Sequence, residues 1–202
     1  MRNVIDDALR NLVVVLKHVR PRGVLLNGNV EMFLKAVFAS HFDALEGGRW
    51  RYVMDKNFGS QIDLLLLLDR APRCAIEFKS TLLEDGTGSM HAAERAVAQA
   101  QVSADLSRSN REQFGQCESY VIHFLSTHYP KGELPDFIYR RFERLRNGVG
   151  PEQIFDLYSN ILTPGNCTLV TLVEDDQDLP GVRLYAVVAK VEGAAQQTGP
   201  ES

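Results

Sequence analysis

Apolar residues recur at helical spacing from the start of the chain. Ile5, Leu9, Leu12, Val13 and Leu16 share one face, predicting an amphipathic helix over the first ~18 residues. Arg20-Pro21-Arg22-Gly23 breaks it. A second helix is predicted from about Asn29, a good N-cap residue, with the stripe Val30, Phe33, Leu34, Val37, Phe38 and Phe42. Gly47-Gly48 ends that segment, and the pattern turns to strands: Trp50 to Phe58, Gln61 to Leu68, and Arg73 to Ser80. The unbroken run Leu64 to Leu68 suits a strand covered on both faces. Asp69-Arg70-Ala71-Pro72 supplies the turn to the third strand.

Beyond a loop at Glu84 to Ser89, an Ala-rich helix is predicted from His91 to Ser107 and a fourth strand from Tyr120 to Ser126. Pro135 to Asn147 and Pro151 to Leu162 read as helices, and Cys167 to Val173 with Val182 to Val191 as a closing hairpin around an acidic loop. The stretch from Gly193 to Ser202 has no periodicity and reads as a disordered tail, leaving one domain over residues 1–192. The expected class is α/β. Three antiparallel strands followed by a helical crossover to a fourth make a mixed central sheet flanked by helices.

Composition changes little in this picture. With 202 residues, 45% hydrophobic and 24% charged, the chain suits a single soluble core. No apolar run nears the ~20 residues of a membrane span, and Asp6 and Asp7 interrupt any leader pattern, so a cytoplasmic protein is expected. Cys74, Cys117 and Cys167 lie too far apart for a zinc motif and are odd in number for a disulfide framework, so reduced cysteines beside strands are expected. The net charge of −4 does not advertise a nucleic-acid binder, although Arg140, Arg141, Arg144 and Arg146 crowd one predicted helix.

The candidate chemistry lies in Gln61-Ile62-Asp63-Leu64 and Cys74-Ala75-Ile76-Glu77-Phe78-Lys79. Side chains alternate along a strand, so Glu77 and Lys79 share one face while Ile76 and Phe78 share the other. A three-residue turn at Asp69 to Ala71 would set Asp63 opposite Glu77, and one at Arg70 to Pro72 would set it opposite Lys79. Either odd loop brings all three to one face, whereas an even loop would send Asp63 to the other. Two carboxylates side by side repel unless a cation intervenes or one keeps its proton, and oxygen ligands of this kind suit Mg²⁺ or Mn²⁺. Lys79 beside them could stabilise charge on a phosphate or help to deprotonate water.

An Asp on one hairpin strand and Glu-x-Lys on the next, within helix–three strands–helix–strand, resembles the PD-(D/E)XK, restriction-endonuclease-like nucleases. The resemblance covers about Asn29 to Ser126, and the family's Pro-Asp is here Ile62-Asp63. It implies a metal-dependent nuclease hydrolysing phosphodiester bonds, most naturally in DNA. It further implies metal held by Asp63, Glu77 and the main-chain carbonyl of Phe78, Lys79 as the catalytic lysine, and Glu31 assisting from the helix before the first strand. The family's Gln-hydrophobic-x-x-Tyr corresponds to Gln101-Val102-Ser103-Ala104-Asp105, which keeps the Gln and has Asp in place of Tyr. Gln101 is the candidate there. No membrane partner is expected, and a homodimer is compatible.

Each residue also has a plainer role. Glu77 and Lys79 could be a strand ion pair of little energetic weight, and Glu31 suits a helix first turn on dipole grounds alone. Gln101 and the arginines could be solvated helix surface, and His123, in an apolar strand, suits a satisfied core histidine. The competing functions are a catalytically inactive nuclease-fold module binding nucleic acid or protein, and an unrelated α/β protein. For the enzyme, Asp63→Ala or Glu77→Ala is expected to abolish cleavage and leave the fold intact.

Overall fold

The structure is a computed structural model. It describes residues 1–19, 30–45, 48–57, 61–82, 91, 94, 95, 98, 117–128, 151–161, 165–174 and 182–191. Helices α1 (Arg2–Val19), α2 (Val30–Asp43) and α3 (Pro151–Ile161) accompany strands β1 (Trp50–Asn57), β2 (Gln61–Leu68), β3 (Ala71–Leu82), β4 (Glu118–His128), β5 (Cys167–Glu174) and β6 (Val182–Val191). His91, Glu94, Arg95 and Ala98 are helical and exposed, where the Ala-rich helix was expected. Gln101, the loop at Glu84 to Ser89, the arginines from Arg140 to Arg146 and the tail from Gly193 lie outside the described residues.

The strands form one six-stranded sheet ordered β1-β2-β3-β4-β6-β5. β1, β2 and β3 are an antiparallel meander, β4 lies parallel to β3, and β6 and β5 continue antiparallel. The chain is therefore α/β with a mixed sheet. A parallel neighbour requires a crossover, and residues 83–117 supply it between β3 and β4.

Alternation divides the sheet into two faces. Leu64, Leu66, Cys74, Ile76, Phe78, Tyr120, Ile122, Phe124, Leu184, Ala186 and Val188 pack with Ile5, Leu9, Leu12 and Leu16 of α1 and Leu34, Phe38 and Phe42 of α2. Phe78 anchors this layer, stacked on Phe124 with ring centroids 6.0 Å apart and edge-on to Phe38 at 5.3 Å. On the other face α3 buries Tyr158 against Val121, Leu125, Tyr185, Val187 and Ala189. That helix lies against β5 and β6, while Ile62, Leu65 and Ala75 form a smaller apolar group at the β2–β3 end. The leucine run is thus split, with Leu64 and Leu66 facing α1 and α2 and Leu65 the opposite side.

The β2–β3 turn corrects the sequence reading. Leu68 pairs with Ala71 across a two-residue turn, not a three-residue one. Asp69 and Arg70 both have positive φ, 51° and 68°, as a type I′ hairpin turn demands. Arg49 braces it, donating from Nε to Asp69 Oδ1 at 3.0 Å and from a second nitrogen to Oδ2. An even turn alone would send Asp63 to the wrong face, but the pairing slips between Leu67↔Pro72 and Leu66↔Cys74, leaving Arg73 as an extra residue. Pro72 has no N–H to give the ladder, and β4 joins β3 only from Cys74, so the irregularity falls where it costs little. The bulge restores odd parity. Arg70→Gly removes the strain of a left-handed arginine and should stabilise the protein by roughly 0.5–1 kcal/mol in denaturant unfolding. A loss instead would mean that the arginine side chain anchors the turn.

Candidate functional site at the parting of two strands

Past the bulge the register runs Leu66↔Cys74, Leu65↔Ala75 and Leu64↔Ile76, where the β2–β3 ladder ends. Continuing it by one residue brings Asp63 level with Glu77, as the odd-loop reading expected. The N–H groups of Phe78 and Ser80 point to the β2 side, as does that of Ile76, and a longer ladder would have paired them. Carboxylates take them instead. Phe78 N–H donates to Asp63 Oδ2 at 2.8 Å, and Ser80 N–H donates to Glu31 Oε2 at 2.9 Å. Because the N–H and C=O of one strand residue point the same way, the Phe78 carbonyl faces this gap too.

Two lysines complete the group. Lys35 Nζ lies 3.3 Å from Asp63 Oδ1, and Lys79 Nζ lies 2.9 Å from Glu77 Oε1. Asp63, Glu77 and Lys35 are buried, at 7%, 3% and 2% exposure, whereas the Lys79 side chain keeps 26% and opens to solvent. Glu77 Oε2 is buried and meets no hydrogen-bond donor among the described residues. Burial first, and then the charge of Asp63, push the Glu77 carboxyl up to about 7 against the pull of Lys79. Glu31 is raised as well, chiefly by burial and further by Asp63, with Lys79 and Lys35 opposing. Burial works against the Lys79 ammonium, but Glu77, Glu31 and Asp63 together outweigh it and hold its pKa above the ordinary value. A lysine held charged is a stabiliser of negative charge rather than a base.

The chain matches no family model, no curated protein and no solved structure.

The structure thus brings together Glu31, Asp63, Glu77, Phe78 and Lys79. Among the described residues no three His, Cys, Asp or Glu side chains converge tightly enough to hold a metal by themselves. Mg²⁺ needs only one or two carboxylates plus oxygens from main chain, water and phosphate. A buried carboxylate oxygen without a donor, beside a second carboxylate and a main-chain carbonyl, fits that requirement. Asp63 also has a structural duty that the sequence did not disclose. It serves both a main-chain N–H and a buried lysine, so Asp63→Ala is now expected to cost stability as well as cleavage.

Lys35 was missed. On the α2 wheel it falls among Leu34, Phe38, Ala39 and Phe42, all buried. A lysine inside an apolar stripe was the available signal, because a buried charge requires a partner. His123, level with Lys79 on β4, is the satisfied core histidine that was expected: fully buried, its Nδ1 3.0 Å from the Tyr158 hydroxyl. Burial and the Lys79 charge push it down to about 3, so it adds no charge behind the site. Cys74 is buried, Cys117 and Cys167 partly so, and none of the three forms a disulfide among the described residues. Among the described residues no helix is long and apolar enough to cross a membrane.

Proposed function

We propose that the chain is a metal-dependent nuclease hydrolysing phosphodiester bonds in DNA, built on a restriction-endonuclease-like helix–three strands–helix–strand core. The observation that carries the reading is the meeting of Asp63, Glu77 and Lys79 in the gap where β2 and β3 part. Asp63, Glu77 and the Phe78 carbonyl would hold Mg²⁺ or Mn²⁺, with Glu31 reaching the same place from α2. The bound ion would supply Lewis acidity toward the phosphate and a more acidic water. Lys79, charged and partly exposed, meets an incoming phosphate and stabilises the charge that grows on its non-bridging oxygens as water attacks and the ester bond breaks. His123 and Tyr158 keep the floor beneath Lys79 dry and uncharged. Glu31, Asp63 and Glu77 against Lys35 and Lys79 leave the fully ionised cluster with one negative charge in excess, which suits a divalent cation followed by a phosphodiester monoanion.

The test is nicking of supercoiled plasmid by pure protein with Mg²⁺. Lys79→Ala should lower the rate by at least a hundredfold with folding unchanged, since one preorganised charge facing the transition state supplies roughly 3 kcal/mol or more. EDTA should stop cleavage, and Mn²⁺ should restore it. Activity surviving EDTA would remove metal-assisted hydrolysis. DNA binding without any nicking would point to the non-catalytic module.

A further inference from the structure

Sequence comparison with the nuclease pattern gives the site one lysine, and the structure gives it two. Lys35 is the more deeply placed, with 3% of its side chain exposed, and it reaches across 28 residues of sequence to Asp63 Oδ1. An ammonium costs several kcal/mol to bury without compensation, so its position is set by the carboxylate it meets. Oδ2 of the same carboxylate is engaged by Phe78 N–H. Both Asp63 oxygens therefore have protein partners, while Glu77 Oε2 has no donor among the described residues. A divalent ion entering between Asp63 and Glu77 finds one open oxygen and one guarded by a positive charge.

We propose that Lys35 is a positioning residue that acts as the built-in counter-ion of the cation site. Its ammonium holds the Asp63 carboxylate in place while no divalent ion is bound, and gives up Oδ1 when one arrives. This rests on the metal-site reading above. It makes Lys35 a regulator of cation affinity: each binding event must break a buried ion pair, so the site fills only at high cation concentration. The trade also keeps the metal-free protein folded, because two buried carboxylates facing each other with no cation would repel.

The experiment is calorimetric titration of the full chain with Mn²⁺ and with Mg²⁺, together with the cation-induced rise in melting temperature. Lys35→Met keeps the bulk of the side chain and removes the charge. Its affinity for Mn²⁺ should rise at least tenfold over wild type, and its melting temperature should be lower without cation and recover most of the loss with it. Adding Asp63→Asn to Lys35→Met should restore metal-free stability and abolish the cation response. If Lys35→Met folds only when Mn²⁺ is present, the proposal is supported. If it fails to fold with or without the ion, Lys35 is structural and the proposal falls. Equal or weaker Mn²⁺ affinity in Lys35→Met, with clear binding by wild type, overturns the proposal and leaves the metal site standing. No cation binding by either protein removes the metal site and this inference together.

Discussion

Asp63→Ala should cost the metal-free protein about 3–5 kcal/mol in denaturant unfolding. The substitution takes the carboxylate from buried Lys35 and the acceptor from Phe78 N–H, and breaking a buried pair from one side leaves the other charge to bear the loss. Asp63→Asn, which keeps an oxygen but not the charge, should lose roughly half as much on the same grounds. A change below about 1 kcal/mol for Asp63→Ala would show that neither contact is energetically significant. Because the substitution is expected to weaken the fold, loss of nicking by Asp63→Ala does not by itself assign Asp63 to metal binding. Asp63→Asn and the calorimetric titration carry that assignment.

Glu77 should behave in the opposite sense. Its carboxyl rises from an ordinary 4.5 to about 7 in the folded, metal-free protein, so the fold holds that proton more tightly than the unfolded chain does. The stability this provides is fully present below pH 4.5 and is lost as pH rises through 7. The raised pKa corresponds to a loss of roughly 3 kcal/mol across that interval. Glu77→Gln removes the titration. It should match wild type near pH 4, exceed it by roughly 3 kcal/mol at pH 8, and flatten the profile between. It should also abolish nicking. Urea midpoints at several pH values decide the matter, and a variant less stable than wild type at pH 8 would mean that Glu77 is a structural partner of Lys79. The two site carboxylates thus divide the work: one holds the strands and the helix together, and the other is kept at a cost.

Much of this was legible in the sequence. β2 and β6 have the expected ends, because Gln61 to Leu68 and Val182 to Val191 are apolar runs bounded by turn-forming residues. The shared face of Glu77 and Lys79 followed from strand periodicity alone. Two things were not legible, for different reasons. The turn has two residues because Asp69 and Arg70 tolerate positive φ, yet no glycine announces it, and the compensating bulge depends on how Pro72 and Arg73 meet a neighbouring strand. The Lys35–Asp63 pair depends on how α2 lies over the sheet, a tertiary register that local pattern does not encode. Its trace was a lysine where the helix wheel called for an apolar residue.

The arginines from Arg140 to Arg146, candidates for phosphate contact beside their plainer reading as solvated helix surface, lie outside the described residues. Within them, Arg51, Arg70 and Arg73 are exposed around the β2–β3 turn, beside Arg49 with its Asp69 partner.

Arg73 has a consequence of another kind. One residue, set opposite no partner, fixes which side of the sheet receives every side chain between it and Ser80. Drawing it into the ladder while the turn keeps two residues would pair Asp63 with Ile76, carry Glu77 and Lys79 among the phenylalanines under α2 and bring Ile76 and Phe78 out beside Asp63. Moving Ala71 into the turn at the same time would undo the inversion, because Leu68 would then pair with Pro72 and Leu66 again with Cys74. Excising Arg73 outright would, by contrast, leave Asp63 opposite Glu77, since Leu67↔Pro72 and Leu66↔Cys74 would become consecutive pairs. A chain with a three-residue turn and an unbroken β3 would present the same acid–acid–lysine group from a sequence that aligns poorly with this one.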